Sequence, residues 1–399
     1  MAPLPALTGA RFFAAISVVF YHYGLHPLGR VVPFLEAPAH IGPAAVSFFY
    51  VLSGAVITWG CTGADGLPVR PTRTFWLQRG ARILPAYWLA LALSVLPFAG
   101  HALQTHSHAG AALRVVLGVG SSLLLVQAFI PPLAGGLNTP GWSISCEAFF
   151  YTVWPRLVRA LRSERTGFPL RATLVCGLVA LIFPLFGLWC VHAQLLPRGP
   201  FPSLLEGVSG DEFLLRFLSY FPPFRLPEFV LGIALGHALR QTPAREHSVA
   251  ADTLREAGLT AVLFAWACVV GSGLPLRITG DASAQRICIE SGALAPLFAL
   301  LVWQLARGRG LLQRLCSTRP LLALGEASYA LYVLQEPVLV WVTAVLKRVS
   351  PALAAHDNAV FWAYALLLVL LSLAAHRFVE MPLRSRLLAR FARPAPAQI

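Results

Sequence analysis

Apolar residues run along this chain in blocks of about twenty, parted by short stretches rich in arginine, proline and glycine. A block of that length is what an α-helix needs to cross a hydrocarbon core about 30 Å thick. The blocks predict spans at 7–26, 41–60, 82–99, 141–158, 172–193, 222–240, 257–274, 287–306, 320–346 and 358–378. Short loops that carry Lys and Arg stay in the cytoplasm. The loops 61–81, 156–171, 240–256 and 307–319 and the tail after 377 are all arginine-bearing. Ten crossings with both termini cytoplasmic put all five on that side. An eleventh apolar segment, 112–131, would displace some of them if it crossed fully. It runs into Pro131-Pro132 and Gly135-Gly136, so a partial or re-entrant segment lining a cavity is expected. The alternative is eleven full spans with one loop breaking the charge rule.

The expected fold class is therefore all-α: a polytopic membrane helical bundle of ten full spans plus one partial or re-entrant segment. It forms one integral membrane domain over 1–390 with a short disordered cytoplasmic tail at 391–399, multi-pass in the cytoplasmic membrane and in contact with its lipids. The first block lacks a basic stretch before it and a clean small-residue cleavage site, so it reads as a retained span rather than a signal peptide. Composition agrees: 57% of the 399 residues are hydrophobic and 12% charged, outside the range of soluble domains. The net charge of +14 resides mostly in interspan arginines that set orientation, and no basic run interleaved with aromatics is present, so nucleic acid is excluded as a partner. Seven cysteines, several of them inside apolar blocks and none in a C-x-x-C, support neither a disulfide framework nor a metal site. His101, His106 and His108 lie together in one loop without a carboxylate or thiol; a solvated outer loop is favoured over metal binding. The loop 194–221, with Glu206, Asp211 and Glu212, either covers a substrate groove or simply connects.

Ionisable residues within these blocks carry the functional signal, because a charge in hydrocarbon is costly unless it faces a bundle interior or a wet cavity. The first block holds Arg11 and His22. Eleven residues at ~100° each is about three turns, so the two share a face, roughly 16 Å apart along the axis. Taken alone, an interfacial histidine and a snorkelling arginine give the same pattern. Arg79 and Arg82, three apart at the entrance to the third span, form either a fork for phosphate groups or an ordinary positive-inside anchor. Glu147 lies in the apolar part of the block that begins at Gly141. Its partner is either a histidine or a hydrogen bond to a neighbouring helix. Further buried polar points are Ser53, Glu290, Glu326, Ser328, Tyr329, Gln335, Glu336, and Arg225 with Glu228, which at i, i+3 can pair structurally.

Several ordered blocks together resemble the acyltransferase-3 family of integral membrane acyltransferases, from about residue 4 to 390. They are Arg11 and His22 with ten residues between them in the first span, FFYVLSG at 48–54, Arg79 and Arg82 followed by LPAYW, WSISCE-x-FFY at 142–151, LPEFVLG at 226–232, LGEASYALYVLQEPV at 324–338 and RFVEMPLR at 377–384. The resemblance implies a cytoplasmic acyl-CoA donor, acetyl-CoA first, and an acceptor hydroxyl on a carbohydrate, often a surface polysaccharide sugar or lipid-linked glycan. It implies that His22 is the catalytic histidine with Arg11 as its motif partner, that Arg79 and Arg82 hold the donor phosphates, and that Glu147 is the motif carboxylate; no metal is implied. One position departs. The family usually has a histidine where Gln335 stands, and a glutamine cannot take a proton at neutral pH. That position is either structural here or the acceptor differs.

The implied chemistry needs few parts. A neutral imidazole at His22 takes the acceptor's proton as the hydroxyl attacks the thioester. Glu147, if within reach, orients that imidazole, and the two arginines position the donor. Arg11 stabilises charge or holds the packing. A covalent acyl-histidine relay and direct transfer remain equally open. A glycosylated small molecule such as a macrolide is the alternative acceptor. A proton-coupled transporter is the alternative class, disfavoured by the Arg79/Arg82 pair, the WSISCE block and the absence of a visible inverted repeat.

Overall fold

A computed structural model describes residues 4–161, 216–242, 248–279, 292–354 and 356–391, with isolated positions between them, and the regular elements among these are helical. The chain runs through α1 (Pro5–Val19), a π-helical turn (Phe20–Gly24), α2 (Leu25–Val31), α3 (Ala45–Cys61), α4 (Thr72–Thr105), α5 (His108–Leu123) and α6 (Gly141–Ala160). It continues through α7 (Pro222–Gln241), α8 (Val249–Gly271), α9 (Ala295–Arg307), α10 (Leu311–Cys316), α11 (Arg319–Glu326), α12 (Ser328–Val349) and α13 (Asp357–Ala375). A second π turn (His376–Glu380) leads into α14 (Met381–Phe391). Proline opens α1, α7, α9 and α11, where its missing N–H would have had no partner anyway.

Every expected span that falls on described residues is helical, but the boundaries differ. The span expected at 82–99 belongs to a helix of 34 residues, about 51 Å long, longer than a hydrocarbon core is thick. Its first turns, which carry Arg73 and Arg79, are polar, and hydropathy alone does not report them. The span expected at 320–346 is two helices meeting at Ala327. Among the described residues, five helices have both the length and the apolarity to cross a bilayer, so ten spans are not established. The span 172–193, most of the loop 194–221 and the tail from 392 lie outside the described residues.

The segment 112–131 is half helix and half irregular. α5 ends at Leu123 and passes through Leu125, at φ 57°, into short 3₁₀ turns at Gln127–Phe129 and Pro131–Leu133. Tyr87, mid-way along α4, donates to the carbonyl of Ser122 at the end of α5 (3.0 Å), and Gln127 bridges Tyr87 and the carbonyl of Gly141 at the start of α6. Further down, Trp76 of α4 donates to the carbonyl of Tyr151 in α6 (3.0 Å). α5 and α6 therefore lie end to end along α4, as two halves of one broken helix. The buried polar side chains at the break satisfy backbone groups that lipid would leave unpaired.

Close packing elsewhere depends on glycine. α3 and α7 touch through backbone: a Cβ on Gly54 would stand 2.3 Å from the Phe229 carbonyl oxygen, and one on Gly232 2.2 Å from that of Val51. Small residues at helix crossings are how membrane helices gain dispersion contacts when the surrounding lipid is equally apolar. Arg225, next to this seam, is buried against Glu228 (2.9 Å) and lies over the rings of Tyr50 and Trp142, the structural pairing expected from their spacing. The arginine-bearing helix ends gather at one end of the bundle. Arg240 donates to the Trp59 carbonyl at the end of α3, Arg307 bonds the carbonyls of Leu239 and Thr242 at the end of α7, and Trp154 of α6 stacks on Phe75 of α4.

Candidate active site

Five helices wall a cavity of about 250 Å³ towards the arginine-bearing end of the bundle. α1 contributes Arg11, α3 Tyr50 and Ser53, α4 Arg82, α6 Ser143, Glu147 and Tyr151, and α12 Tyr329 and Tyr332. Each of these helices is placed by a contact already described or by a polar tie at the cavity wall. Tyr329 donates to the Ile83 carbonyl (2.9 Å), tying α12 to α4. The hydroxyls of Ser143 and Tyr332 pair at 2.8 Å, tying α12 to α6. α1 is drawn onto α10 where Gly9 meets the Cys316 carbonyl, and onto α11 where Gly325 meets that of Thr8.

Arg11, Arg82 and Glu147 come together in this cavity; His22 and Arg79 do not line it. Arg79 lies one turn before Arg82, its guanidinium 5.8 Å from the Phe75 ring centroid, and its Nε is buried without an acceptor. Arg11 and Arg82 form no hydrogen bond or salt bridge among the described residues. Three half-buried guanidiniums thus carry donors that no acceptor among the described residues occupies. Buried donors are costly to leave unpaired, and a cluster of like charges repels itself, so the arrangement has the chemistry to take an anion.

Glu147 does not partner the histidine. Its carboxylate accepts from Ser53 Oγ (3.3 Å) and from the Tyr151 hydroxyl one turn along α6. Of the two partners left open by its sequence context, the neighbouring helix is the one present. His22 lies towards the other end of α1, in the π turn, and is exposed. Among the described residues it forms no hydrogen bond or ion pair, touching only the rings of Tyr21 and Tyr23 beside it. A π turn shifts side chains off the α register, and such turns recur at functional sites.

Gln335 is fully buried. Its side-chain amide nitrogen donates to the Tyr332 carbonyl of its own helix (2.9 Å), its backbone carbonyl takes the Tyr364 hydroxyl (2.8 Å), and its side-chain Oε1 is buried without a partner among the described residues. The side chain faces the core and does not line the cavity. Glu336 beside it binds the backbone N–H and hydroxyl of Thr139, which helps fix the irregular stretch before α6. His106 is engaged by Thr105 and Arg114.

Residues 4–377 match the family model described as an acyltransferase domain. The chain belongs to the acyltransferase-3 family. Acyltransferase MdmB of Streptomyces mycarofaciens is 32% identical over 84% of this chain and 79% of its own length. A putative peptidoglycan O-acetyltransferase of Bacillus subtilis, YrhL, is 26% identical over 98% of this chain, and the Staphylococcus aureus O-acetyltransferase OatA is 25% identical over the same share. The chain spans 56% and 58% of the length of those two. No solved structure matches. Membership makes the chain an acyltransferase with membrane helices and removes the transporter reading.

Two side-chain pairs are not evident from the motifs. Tyr151 holds Glu147 at i+4 in the cavity wall, and His376 holds Glu380 at the same spacing (Nδ1 to Oε2, 2.8 Å). The spacing is readable in the sequence, but only the fold shows that both pairs form.

Proposed function

We propose that this chain is a membrane O-acyltransferase that moves an acetyl or other short acyl group from acyl-CoA, entering from the cytoplasmic side, to a hydroxyl of a surface glycan, glycolipid or exopolysaccharide sugar. The observation that carries it is the uncommitted guanidinium cluster beside a cavity of about 250 Å³. Cavities that enclose whole drug-sized ligands run to about 300–1,000 Å³, so this one suits an acyl group on a slender arm. The nucleotide end of the donor stays at the mouth, with its phosphates on Arg79 and Arg82, whose planar forks match phosphate oxygens. Arg11 then faces the arm of the donor, and the thioester lies further along α1, within reach of His22.

His22 takes the acceptor's proton. It is exposed and unpaired, as a base that must meet an incoming hydroxyl should be. The acceptor oxygen bonds to the acyl carbon, the carbon–sulfur bond breaks, and the proton that leaves the hydroxyl ends on the released thiol. Glu147 does not orient His22 in this scheme; it holds Ser53 and Tyr151 against the cavity. A glycan acceptor is supported by two relatives whose names specify O-acetyltransferase, one of them for peptidoglycan.

Mass spectrometry of glycans and glycolipids from cells with and without the gene, complemented by wild type or His22→Ala, tests the reading. An ester mass increment on one sugar, restored by wild type alone, is expected. Restoration by His22→Ala removes the histidine from the mechanism. No glycan change at all moves the acceptor to a glycosylated small molecule, to be sought by untargeted metabolite comparison.

A further inference from the structure

The cavity stops short of His22. On α1 its last lining residue is Arg11. Beyond that, Ala15, Val18 and Val19 are at most 2% exposed, and close-packed core of this kind leaves no opening for a chain of atoms. α12 runs beside α1 through the same depth. Just before it, Gly325 packs on the Thr8 carbonyl. Further along, the Gln335 backbone carbonyl takes the hydroxyl of Tyr364, whose ring lies 5.9 Å from that of Tyr23, the neighbour of His22. Tyr332 stands between these two levels. It is the last residue of α12 to line the cavity, and Val333, Leu334 and Gln335 after it are buried.

Three helices meet at this inner end. The Tyr332 hydroxyl pairs with Ser143 Oγ of α6 at 2.8 Å, and its ring centroid lies 6.1 Å from that of Phe49 of α3, a further lining residue. Ser143 is itself pinned. Its Oγ donates to the Pro140 carbonyl (2.9 Å), which leaves it the acceptor towards Tyr332, and its backbone carbonyl takes the Tyr50 hydroxyl (3.4 Å).

We infer that Tyr332, held by Ser143 and backed by Phe49, determines which acyl groups are transferred: it closes the inner end of the cavity, and the acyl group has to pass its ring to come within reach of His22. The inference rests on the acyl-CoA reading above. With the donor phosphates on Arg79 and Arg82 at the mouth, the arm runs along the cavity and meets Tyr332 before His22. Parting Tyr332 from Ser143 breaks one hydrogen bond between neutral hydroxyls, weaker than a charge-assisted one, and turns one ring against Phe49. The gap so opened is no wider than the ring that leaves it. An acetyl group suits such a gap. Each further methylene meets walls fixed by close packing, and a single misfitting methylene changes selectivity roughly 10–200-fold.

A filter between donor site and base acts on passage and not on holding, so it separates acyl chains by rate, which a merely structural tyrosine does not. Purified full-length protein in lipid nanodiscs is given acetyl-CoA or hexanoyl-CoA with the acceptor found by the mass-spectrometric test. Titration of each donor gives its affinity. Wild type is expected to transfer the hexanoyl group at least tenfold more slowly than the acetyl group. Tyr332→Leu should raise the hexanoyl-to-acetyl ratio of kcat at least tenfold, with both donor affinities within about threefold of wild type. Tyr332→Phe, which keeps the ring, should leave the ratio within about threefold. Phe49→Leu, on another helix, should shift the ratio in the same direction as Tyr332→Leu and serves as the test where that variant does not fold. An unchanged ratio in the leucine variants that fold overturns the inference, as does an equal fall in both rates or a wild type that transfers both groups equally fast. Loss of folded protein in both leucine variants makes this wall structural and overturns it equally. If wild type neither binds nor turns over acetyl-CoA, the donor reading fails and this inference with it, an outcome distinct from any variant result.

Discussion

The seam between α3 and α7 allows a prediction with an internal control on one helix. A Cβ on Gly54 would stand 2.3 Å from the Phe229 carbonyl oxygen, 1.1 Å short of the 3.4 Å at which ordinary contact begins, and one on Gly232 falls 1.2 Å short, at 2.2 Å from the Val51 oxygen. Both obstacles are backbone, so no rotamer change relieves them, and Gly54→Ala or Gly232→Ala must push the helices about 1 Å apart. A gap of 0.5–1 Å forfeits a quarter to a half of each atomic contact, worth ~0.1–0.2 kcal/mol; over roughly 50 contacts the loss is about 1–5 kcal/mol. Taking about 3 kcal/mol, the folded fraction relative to unfolded drops roughly a hundredfold. Gly60 lies on the same helix with nothing within 4 Å of its Cβ position, so Gly60→Ala should stabilise by about 0.5–1 kcal/mol through backbone entropy alone. The seam also carries function, because Ser53 adjoins Gly54 and binds Glu147 at 3.3 Å. Thermal unfolding in nanodiscs, with acetyl-CoA titration of the same samples, reads both effects. Gly54→Ala should melt several degrees lower and bind donor more weakly, while Gly60→Ala does neither. A Gly54→Ala protein with wild-type melting and donor binding refutes the packing argument.

The remaining expectations concern single side chains. His22→Ala should abolish transfer while donor binding by titration stays within about twofold, the base contributing on the order of 10²–10⁴ in rate. Arg79→Ala with Arg82→Ala should weaken acetyl-CoA binding at least tenfold, since a charge-assisted hydrogen bond is worth about 1.5–3 kcal/mol; equal affinity would remove both from the donor site. Gln335→Met should leave acceptor KM unchanged, because the side chain faces the core; a raised acceptor KM would return this position to the substrate. Arg225→Met alone should cost about 3–5 kcal/mol in unfolding measurements by stranding the buried Glu228 charge, and Arg225→Met with Glu228→Leu should recover much of that loss.

Much of the site was legible in the sequence because its residues recur at fixed spacing within single helices. Arg11, Arg82 and Glu147 stand out as charges in apolar blocks, and they share a cavity. The inter-helix partner of Glu147 was not legible. It depends on the height at which α3 and α6 sit beside each other, which brings Ser53 to the carboxylate, and not on any local pattern. The length of α4 was hidden for a different reason: its polar first turns are helical because they pack on α6 through Phe75 and Trp76, while hydropathy registers only the part with apolar composition. The break at Ala327 was hidden because apolar residues resume on either side of Glu326 and Ser328, so one block runs across two helices. The His376–Glu380 pair has a spacing that occurs by chance in many helices, and only the burial of Glu380 in the fold distinguishes it.

On the proposed reading, the separation of cations from base along α1 explains why the chain devotes its first helix to both. Donor and acceptor of such a reaction differ in charge and in the side from which they come. A cationic cluster at one end attracts the phosphates of the donor, and the same positive potential would raise the cost of protonating an imidazole placed among them. Roughly 16 Å of helix distances His22 from those cations, and the apolar walls between keep water from the thioester. Moving the base into the cluster would therefore weaken it. A His22→Ala variant carrying a histidine one turn nearer Arg11, at Val18, should for this reason remain inactive even though the residue type is restored. Appreciable transfer by that double variant, measured in the same nanodisc assay, would show that distance from the arginines is not what qualifies position 22.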